Sequence, residues 1–153
     1  MHTQLVILVG PPGTGKSHYA DKQIKKNPIN WVIVSRDSIR RSLGEDPSTS
    51  GFNSTKEELI SDIEFDMIVK ALSFGFSVIA DISNIKYNGQ FNGIPDVICP
   101  YQVSIRIKYF TCSYWLACLR DLWRWWNGGH IVGPKKIKRL FAIYDIPFDS
   151  RNI

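Results

Sequence analysis

An α/β fold with a parallel sheet of about four strands flanked by helices is what the sequence predicts, on three observations. Short apolar runs alternate with segments of helical periodicity, the order that strand–helix–strand units require. The first run, Leu5-Val6-Ile7-Leu8-Val9, is continuously apolar, as a strand covered on both faces must be. The 153 residues are 44% hydrophobic and 22% charged, enough for one domain with a real core and unlike a disordered chain. No internal repeat, low-complexity tract or linker interrupts them. In order, a Gly/Pro-rich turn follows the first strand, and a helix is expected from about Lys16 to Lys26, stopped by Asn27-Pro28. Trp31–Val34 reads as a second strand ending at Ser35-Arg36-Asp37, and a Ser/Gly/Asn-rich loop covers about residues 44–55. Ser54 or Thr55 reads as the N-cap of the next helix, with Glu57 and Glu58 in its first turn. Its apolar stripe is expected from Leu59, Ile63, Met67 and Ala71. Phe76–Ala80 is a third strand, ending at Asp81, and residues 84–100 read as irregular. Val103–Phe110 is a fourth strand, and helices are expected at about 113–127 and 135–144.

The net charge is +5, with an isoelectric point near 9.2, a mild pull toward a polyanion. Its distribution says more. Residues 1–45 carry seven basic and three acidic groups and residues 106–153 nine and three, whereas residues 46–105 carry three and eight. No apolar run approaches the ~20 residues of a membrane helix, and the N-terminus has neither a basic flank nor a cleavage site. The expectation is a cytoplasmic protein without membrane association. Cys99, Cys112 and Cys118 lack metal-type spacing and suit a reducing compartment as packing residues. His2, His18 and His130 are scattered and suggest no metal site of their own.

The sharpest motif is Gly10-Pro11-Pro12-Gly13-Thr14-Gly15-Lys16-Ser17, which fits the phosphate-loop pattern G-x-x-x-x-G-K-[ST]. Small residues let successive backbone N–H groups curl round a phosphate, and the following helix adds its positive end. Lys16 is then assigned to the β/γ-phosphates and the Ser17 hydroxyl to Mg²⁺. The loop follows a strand and opens a helix, which is the context the motif demands. The fold class sharpens to a P-loop NTPase-type sheet that binds ATP or another NTP.

Acidic residues at neighbouring strand ends should then meet the ligand. Asp37 fits a general base that accepts the proton of an attacking hydroxyl, or else a helix cap. Arg40, three residues on, can clamp an acceptor phosphate. Asp81 follows its apolar strand as a Walker-B acid does; it orients Mg²⁺ through water, holds Arg40 in place, or turns the strand end with Asn84. Arg120 and Arg124 stand one helical turn apart before the break Asn127-Gly128-Gly129, a lid hinge that lets a guanidinium close over the transferring phosphoryl. Ordinary surface charges are the alternative.

Together these residues resemble the kinase domain of phage-type polynucleotide 5′-kinases. The resemblance runs from about residue 5 to residue 148: Gly10–Ser17; Arg36-Asp37-x-x-Arg40; Ser54-Thr55-Lys56-Glu57 leading to Glu64-Phe65-Asp66; Asp81-x-x-Asn84; Arg120-x-x-x-Arg124; and Tyr144-x-x-Pro147. It implies a single kinase domain over 1–153 with a helical lid, moving the γ-phosphoryl of ATP, with Mg²⁺, to the 5′-hydroxyl of DNA or RNA. It also implies that Asp37 is the base, that Arg40 holds the acceptor, that Asp81 supports the site, and that Arg124 contacts the donor phosphates. The lid departs from the family's pattern: it reads Trp123-Arg124-Trp125-Trp126 and later Val132-Gly133-Pro134 instead of a Lys/Arg-rich stretch before Val-Pro. No D-x-D acid pair occurs, so no 3′-phosphatase activity is expected, and the single kinase domain is expected to carry no ligase domain.

Trp115, Trp123, Trp125 and Trp126 crowd one helical segment; they read as core, as a subunit interface of a homo-oligomer, or as a base-stacking surface. Lys135, Lys136, Lys138 and Arg139 form a basic helix face that suits nucleic-acid backbone or solvent equally. Two rival functions share the phosphate loop: a kinase of a nucleoside, small metabolite or modified base in DNA, and a non-catalytic or toxin-like nucleotide-binding module.

Overall fold

A computed structural model describes residues 3–44, 53–81, 103–128 and 131–143. The elements run β1 (Gln4–Val9), α1 (Lys16–Lys26), β2 (Trp31–Ser35), α2 (Arg36–Ser42), α3 (Ser54–Ser73), β3 (Ser77–Asp81), β4 (Ser104–Tyr109), α4 (Tyr114–Trp126) and α5 (Pro134–Ile143). Among the described residues this is a four-stranded parallel sheet, ordered β2-β3-β1-β4, flanked by five helices. Every strand lies within a residue or two of its expected place. Cys99, His2, His130, Asn84, Gly129, Tyr144 and Pro147, with the irregular stretch 84–100, fall outside the described residues.

The alternation of β1 builds two cores. Leu5, Ile7 and Val9 join Val34, Val78 and Ala80 under α2 and α3, where Ile39, Ile60, Ile68 and Leu72 close the larger cluster. Val6 and Leu8 face the other way, against Ile79 and Ala20 of α1. Ala117, Ile137 and Phe141 make a third cluster between α4 and α5, with Cys112 and Cys118 packed against it as the packing role anticipates. β4 is the sheet edge beyond β1, and all six of its residues are exposed.

Two expectations for α3 are corrected. Its N-cap is Asn53, whose side chain accepts from the Lys56 N–H at 3.2 Å, and not Ser54 or Thr55. Its buried face is Ile60, Glu64, Ile68 and Leu72, one residue on from the expected stripe, while Leu59 and Met67 are exposed. The reason is that a glutamate stands among the core positions, so counting apolar residues along the helix selects the wrong face.

Candidate functional site

Parallel pairing brings the carboxyl ends of β1, β2 and β3 to one side of the sheet. The phosphate loop leaves β1, Asp37 stands in the first turn of α2 just after β2, and Asp81 ends β3, in register with both Leu8 and Ser35. The loop is shaped by its glycines. Gly10 has φ +149° and lies against the Phe110 carbonyl, where a side chain has no room. Gly13 has φ +80°, and a Cβ there would sit 2.8 Å from the Ala117 carbonyl of α4, so glycine allows that helix to close on the loop. Thr14 Oγ1 donates to the Pro11 carbonyl at 2.8 Å and stiffens the turn.

Gly15, left-handed at φ 98°, leads into α1 without a side-chain cap, so the N–H groups of the first turn keep their capacity for an anion. Lys16 is buried, and its Nζ donates to the Gly10 and Pro11 carbonyls at 2.7 and 3.0 Å. Burial lowers its pKa, against the opposing pull of the Asp81 and Asp37 charges. Both carboxylates therefore act on the same ammonium, and Arg124 acts on it and on Asp81 as well. Arg120 turns to the loop, donating from Nη1 to the Gly13 carbonyl at 3.0 Å. The structure thus brings Lys16, Ser17, Asp37, Asp81, Arg120 and Arg124 to one place.

Asp81 Oδ2 accepts from the exposed Ser17 Oγ at 3.2 Å, while its buried Oδ1 has no hydrogen-bond partner. A hydroxyl and a carboxylate with a spare oxygen are the hard donors Mg²⁺ takes, so these residues fit the ion. Asp81 does not contact Arg40 by hydrogen bond, and that part of its expected role is corrected. Burial, only partly offset by Lys16 and Ser17, raises the Asp81 pKa. The folded state therefore takes up the Asp81 proton at higher pH than the unfolded chain, and ionised Asp81 costs stability above the folded pKa that returns as pH falls through it. Asp81→Asn should accordingly raise the melting temperature of the nucleotide-free protein at pH 8 by a few degrees, each kcal/mol being worth about 2–4 °C at this size. The gain should shrink toward pH 5. A lower melting temperature at pH 8 would contradict the burial argument.

Arg40 is held by Glu57 and Asp37. Its Nε and Nη2 donate to Glu57 Oε1 at 3.1 and 2.9 Å, and Nη2 reaches Oε2 at 2.9 Å. Its Nη1 donates to Asp37 Oδ1 at 3.1 Å. Burial works against the guanidinium charge, yet the Glu57 hydrogen bonds and charge, joined by Asp37, hold its pKa above the ordinary arginine value. The same Arg40 hydrogen bonds lower the Glu57 carboxyl. Asp37 is not a helix cap: α2 begins at Arg36, and the Asp37 carboxylate points to Arg40.

Behind this pair, Arg36 Nη1 donates to Glu64 Oε2 at 2.8 Å, and Nη2 donates to Glu57 Oε2 at 3.0 Å and Ser61 Oγ at 2.9 Å. Arg36 and Glu64 are buried, and burial raises the Glu64 pKa against the Arg36 charge. Glu57 and Glu64 thus bolt α3 to the start of α2 and set the Asp37–Arg40 edge. Sequence reading had Glu57 as a first-turn acid and, with Glu64, as part of a block of the resemblance, but gave neither a role. It also missed Asp121, which is buried and accepts the Val132 N–H at 3.0 and 3.1 Å and the Gly133 N–H at 2.9 Å, tying the entry of α5 to α4. Its one visible signal was an acid between two arginines on a helix otherwise rich in Leu and Trp.

The Trp-rich segment is not core: Trp115, Trp123, Trp125 and Trp126 are all exposed. Lys135, Lys136, Lys138 and Arg139 are exposed on α5. No helix among the described residues is long and apolar enough to cross a membrane.

A family model described as AAA domain matches residues 5–118. One chain of the Pnkp1/Rnl/Hen1 RNA repair complex superposes with TM-score 0.75 at 26% identity, covering 95% of this chain and 45% of that one. A chain from another structure of the Pnkp1/Rnl/Hen1 complex gives TM-score 0.58 at 30% identity, over 74% and 37% of the two chains. The sequence spans less than half the length of either. A chain of the PezAT toxin–antitoxin system of Streptococcus pneumoniae gives TM-score 0.66 at 15% identity, over 92% and 60%, a likeness of fold.

Proposed function

The chain belongs to the AAA domain family, and on that premise we propose that it is an ATP-dependent polynucleotide kinase phosphorylating 5′-hydroxyl ends. The observation that carries this reading is the Asp37–Arg40 pair, hydrogen-bonded at 3.1 Å and held beside the phosphate loop closely enough for the Asp37 charge to act on Lys16. A base and a phosphate clamp side by side suit an acceptor that carries both a hydroxyl and a phosphate. The similarity to chains of an RNA repair complex supports RNA as that acceptor.

Lys16, the loop amides and the first turn of α1 receive the β- and γ-phosphates, Lys16 exchanging its Gly10 and Pro11 carbonyls for phosphate oxygens. Ser17, with Asp81 acting through water, would hold Mg²⁺, which when bound would offset charge on the phosphate oxygens. Asp37 is exposed, and with Oδ1 on Arg40 its Oδ2 takes the proton of the 5′-hydroxyl. The hydroxyl oxygen bonds to the γ-phosphorus as the bond to the β–γ bridging oxygen breaks. ADP leaves, and the proton passes from Asp37 to solvent. The second Nη1 hydrogen of Arg40, which Glu57 and Asp37 leave free, takes the acceptor phosphate. Arg124, with Arg120 behind it, closes the lid over the transferring group.

Incubation with γ-labelled ATP and a 5′-hydroxyl RNA, its 5′-phosphorylated twin, or a panel of nucleosides tests this. Label is expected on the 5′-hydroxyl polymer alone. Label on nucleosides alone would assign a small-molecule kinase, and ATP turnover without any labelled acceptor would point to a non-catalytic or toxin-like module.

A further inference from the structure

α4 has two apolar faces, and the fold uses one. The inner face seats Ala117 against Gly13 and buries Asp121 as the anchor of residues 132–133, with Tyr114 and Cys118 packed toward α5. The outer face presents Trp115, Leu116, Leu119, Leu122, Trp123 and Trp126, all exposed, with Leu119 at 63%, Trp123 at 71% and Trp126 at 82%. A surface helix ordinarily turns its apolar stripe to the core and its polar residues to water, whereas here Asp121 is buried and the Leu/Trp stripe faces water. Trp115, Leu119, Leu122 and Trp126 are spaced four, three and four residues apart, the alternation of a coiled-coil seam. Leu119, Leu122, Trp123 and Trp126 also line a groove of about 500 Å³ together with the Arg120 side chain.

The size of this face matters. With a tryptophan near the top of the ~150–250 Å² range for aromatic side chains, the six residues leave on the order of 700 Å² of apolar surface in water. That exceeds the ~300–600 Å² of the largest patch on a typical monomer and approaches the ~800 Å² per partner of a standard interface. A four–three–four spacing reads the same in both directions, so the seam is complementary to itself when two copies run antiparallel. A twofold axis between residues 120 and 121 sets Trp115 against the partner's Trp126 and Leu119 against the partner's Leu122. Charge permits it, because Arg120 is drawn to the Gly13 carbonyl and Arg124 acts on Lys16 and Asp81. Platforms for single-stranded nucleic acid interleave aromatics with a basic groove, whereas leucines separate the tryptophans of this seam.

We propose that the outer face of α4 is a self-association surface, on which two copies of the chain pack α4 antiparallel about a twofold axis. Because the inner side of the same helix carries the arginines of the phosphate loop, pairing fixes α4 over the loop and turns both nucleotide sites outward.

Sedimentation and light scattering on the full chain test this with two variants. The wild-type protein is expected at twice the 17.5 kDa chain mass, and Leu119→Glu and Leu122→Lys are each expected to be monomeric with unchanged far-ultraviolet circular dichroism. An equimolar mixture of the two variants should regain the dimer, since antiparallel packing sets the new carboxylate against the partner's ammonium. Monomeric wild-type protein, a dimer unmoved by Leu119→Glu, or a mixture that stays monomeric would each overturn the proposal. So would a monomer whose tryptophan emission is quenched by a 5′-hydroxyl oligonucleotide, which would give the face to nucleic acid.

Discussion

Asp37→Asn is expected to lower phosphoryl transfer to a 5′-hydroxyl end by ~10²–10⁴-fold, the range a positioned general base supplies, while ATP binding stays close to normal. The substitution is nearly isosteric. An asparagine oxygen still accepts from Arg40 Nη1, where the wild-type contact is 3.1 Å, so the Arg40 guanidinium keeps its place between residue 37 and Glu57. What is lost is the capacity to take a proton, together with a negative charge that acts on Lys16 and Asp81. The phosphate loop, which binds the donor through backbone amides, Lys16 and Ser17, is untouched. The loss should therefore fall on kcat, with the KM for ATP nearly unchanged and single-turnover transfer slowed as much as steady-state turnover. Near-normal transfer by Asp37→Asn with ATP bound would remove Asp37 from the role of base. A rise in the KM for ATP as large as the fall in kcat would mean that Asp37 serves donor binding instead.

The parts of this site that were legible in the sequence are those whose chemistry is local. Wrapping a phosphate in backbone amides dictates residue types over eight consecutive positions, and Gly10–Ser17 meets them without help from elsewhere. Asp37 and Asp81 were legible because a parallel sheet sends its ligands to the carboxyl ends of strands, and each follows an apolar run. The roles of Glu57 and Glu64, residues that entered as a first-turn acid and as parts of the resemblance, and Asp121 altogether, were not, because their partners lie 17 and 21, 28, and 11 to 12 residues away and no spacing rule connects them. Glu64 misled in a further way: a charge at a core position broke the stripe on α3 and moved the apparent face by one residue. The tryptophans of α4 show the same limit. Apolar residues that cover a core and those that await a partner have the same composition, and only the position of the sheet tells them apart.

Glu64→Ala is the substitution expected to cost the most stability. Arg36 and Glu64 face each other at 2.8 Å with side chains only 9% and 8% exposed. Removing Glu64 strips Nη1 of its acceptor and leaves Glu57, 3.0 Å from Nη2, as the carboxylate that still pairs with Arg36; breaking one side of a buried pair costs about 3–5 kcal/mol. At ~2–4 °C per kcal/mol for a chain of this size, the melting temperature should fall by roughly 6–20 °C. Glu57 and Ser61 still accept from Arg36 Nη2, but the Nη1 edge would face a cavity. Burial raises the Glu64 pKa against the pull of Arg36, so the ionised carboxylate carries a desolvation cost. Glu64→Gln, which keeps an acceptor for Nη1 and avoids that desolvation cost while Glu57 still pairs with Arg36, should therefore cost less than Glu64→Ala. The double variant Arg36→Met/Glu64→Leu should recover most of the stability that Glu64→Ala loses, because apolar residues of similar volume commonly replace a buried pair without loss. It should not recover transfer, since Arg36 also ties Glu57, and through it Arg40, to the start of α2. Thermal unfolding of the three variants beside the labelled-acceptor assay separates the two effects. Glu64→Ala melting within a degree or two of wild type would show that Glu57 and Ser61 alone satisfy Arg36.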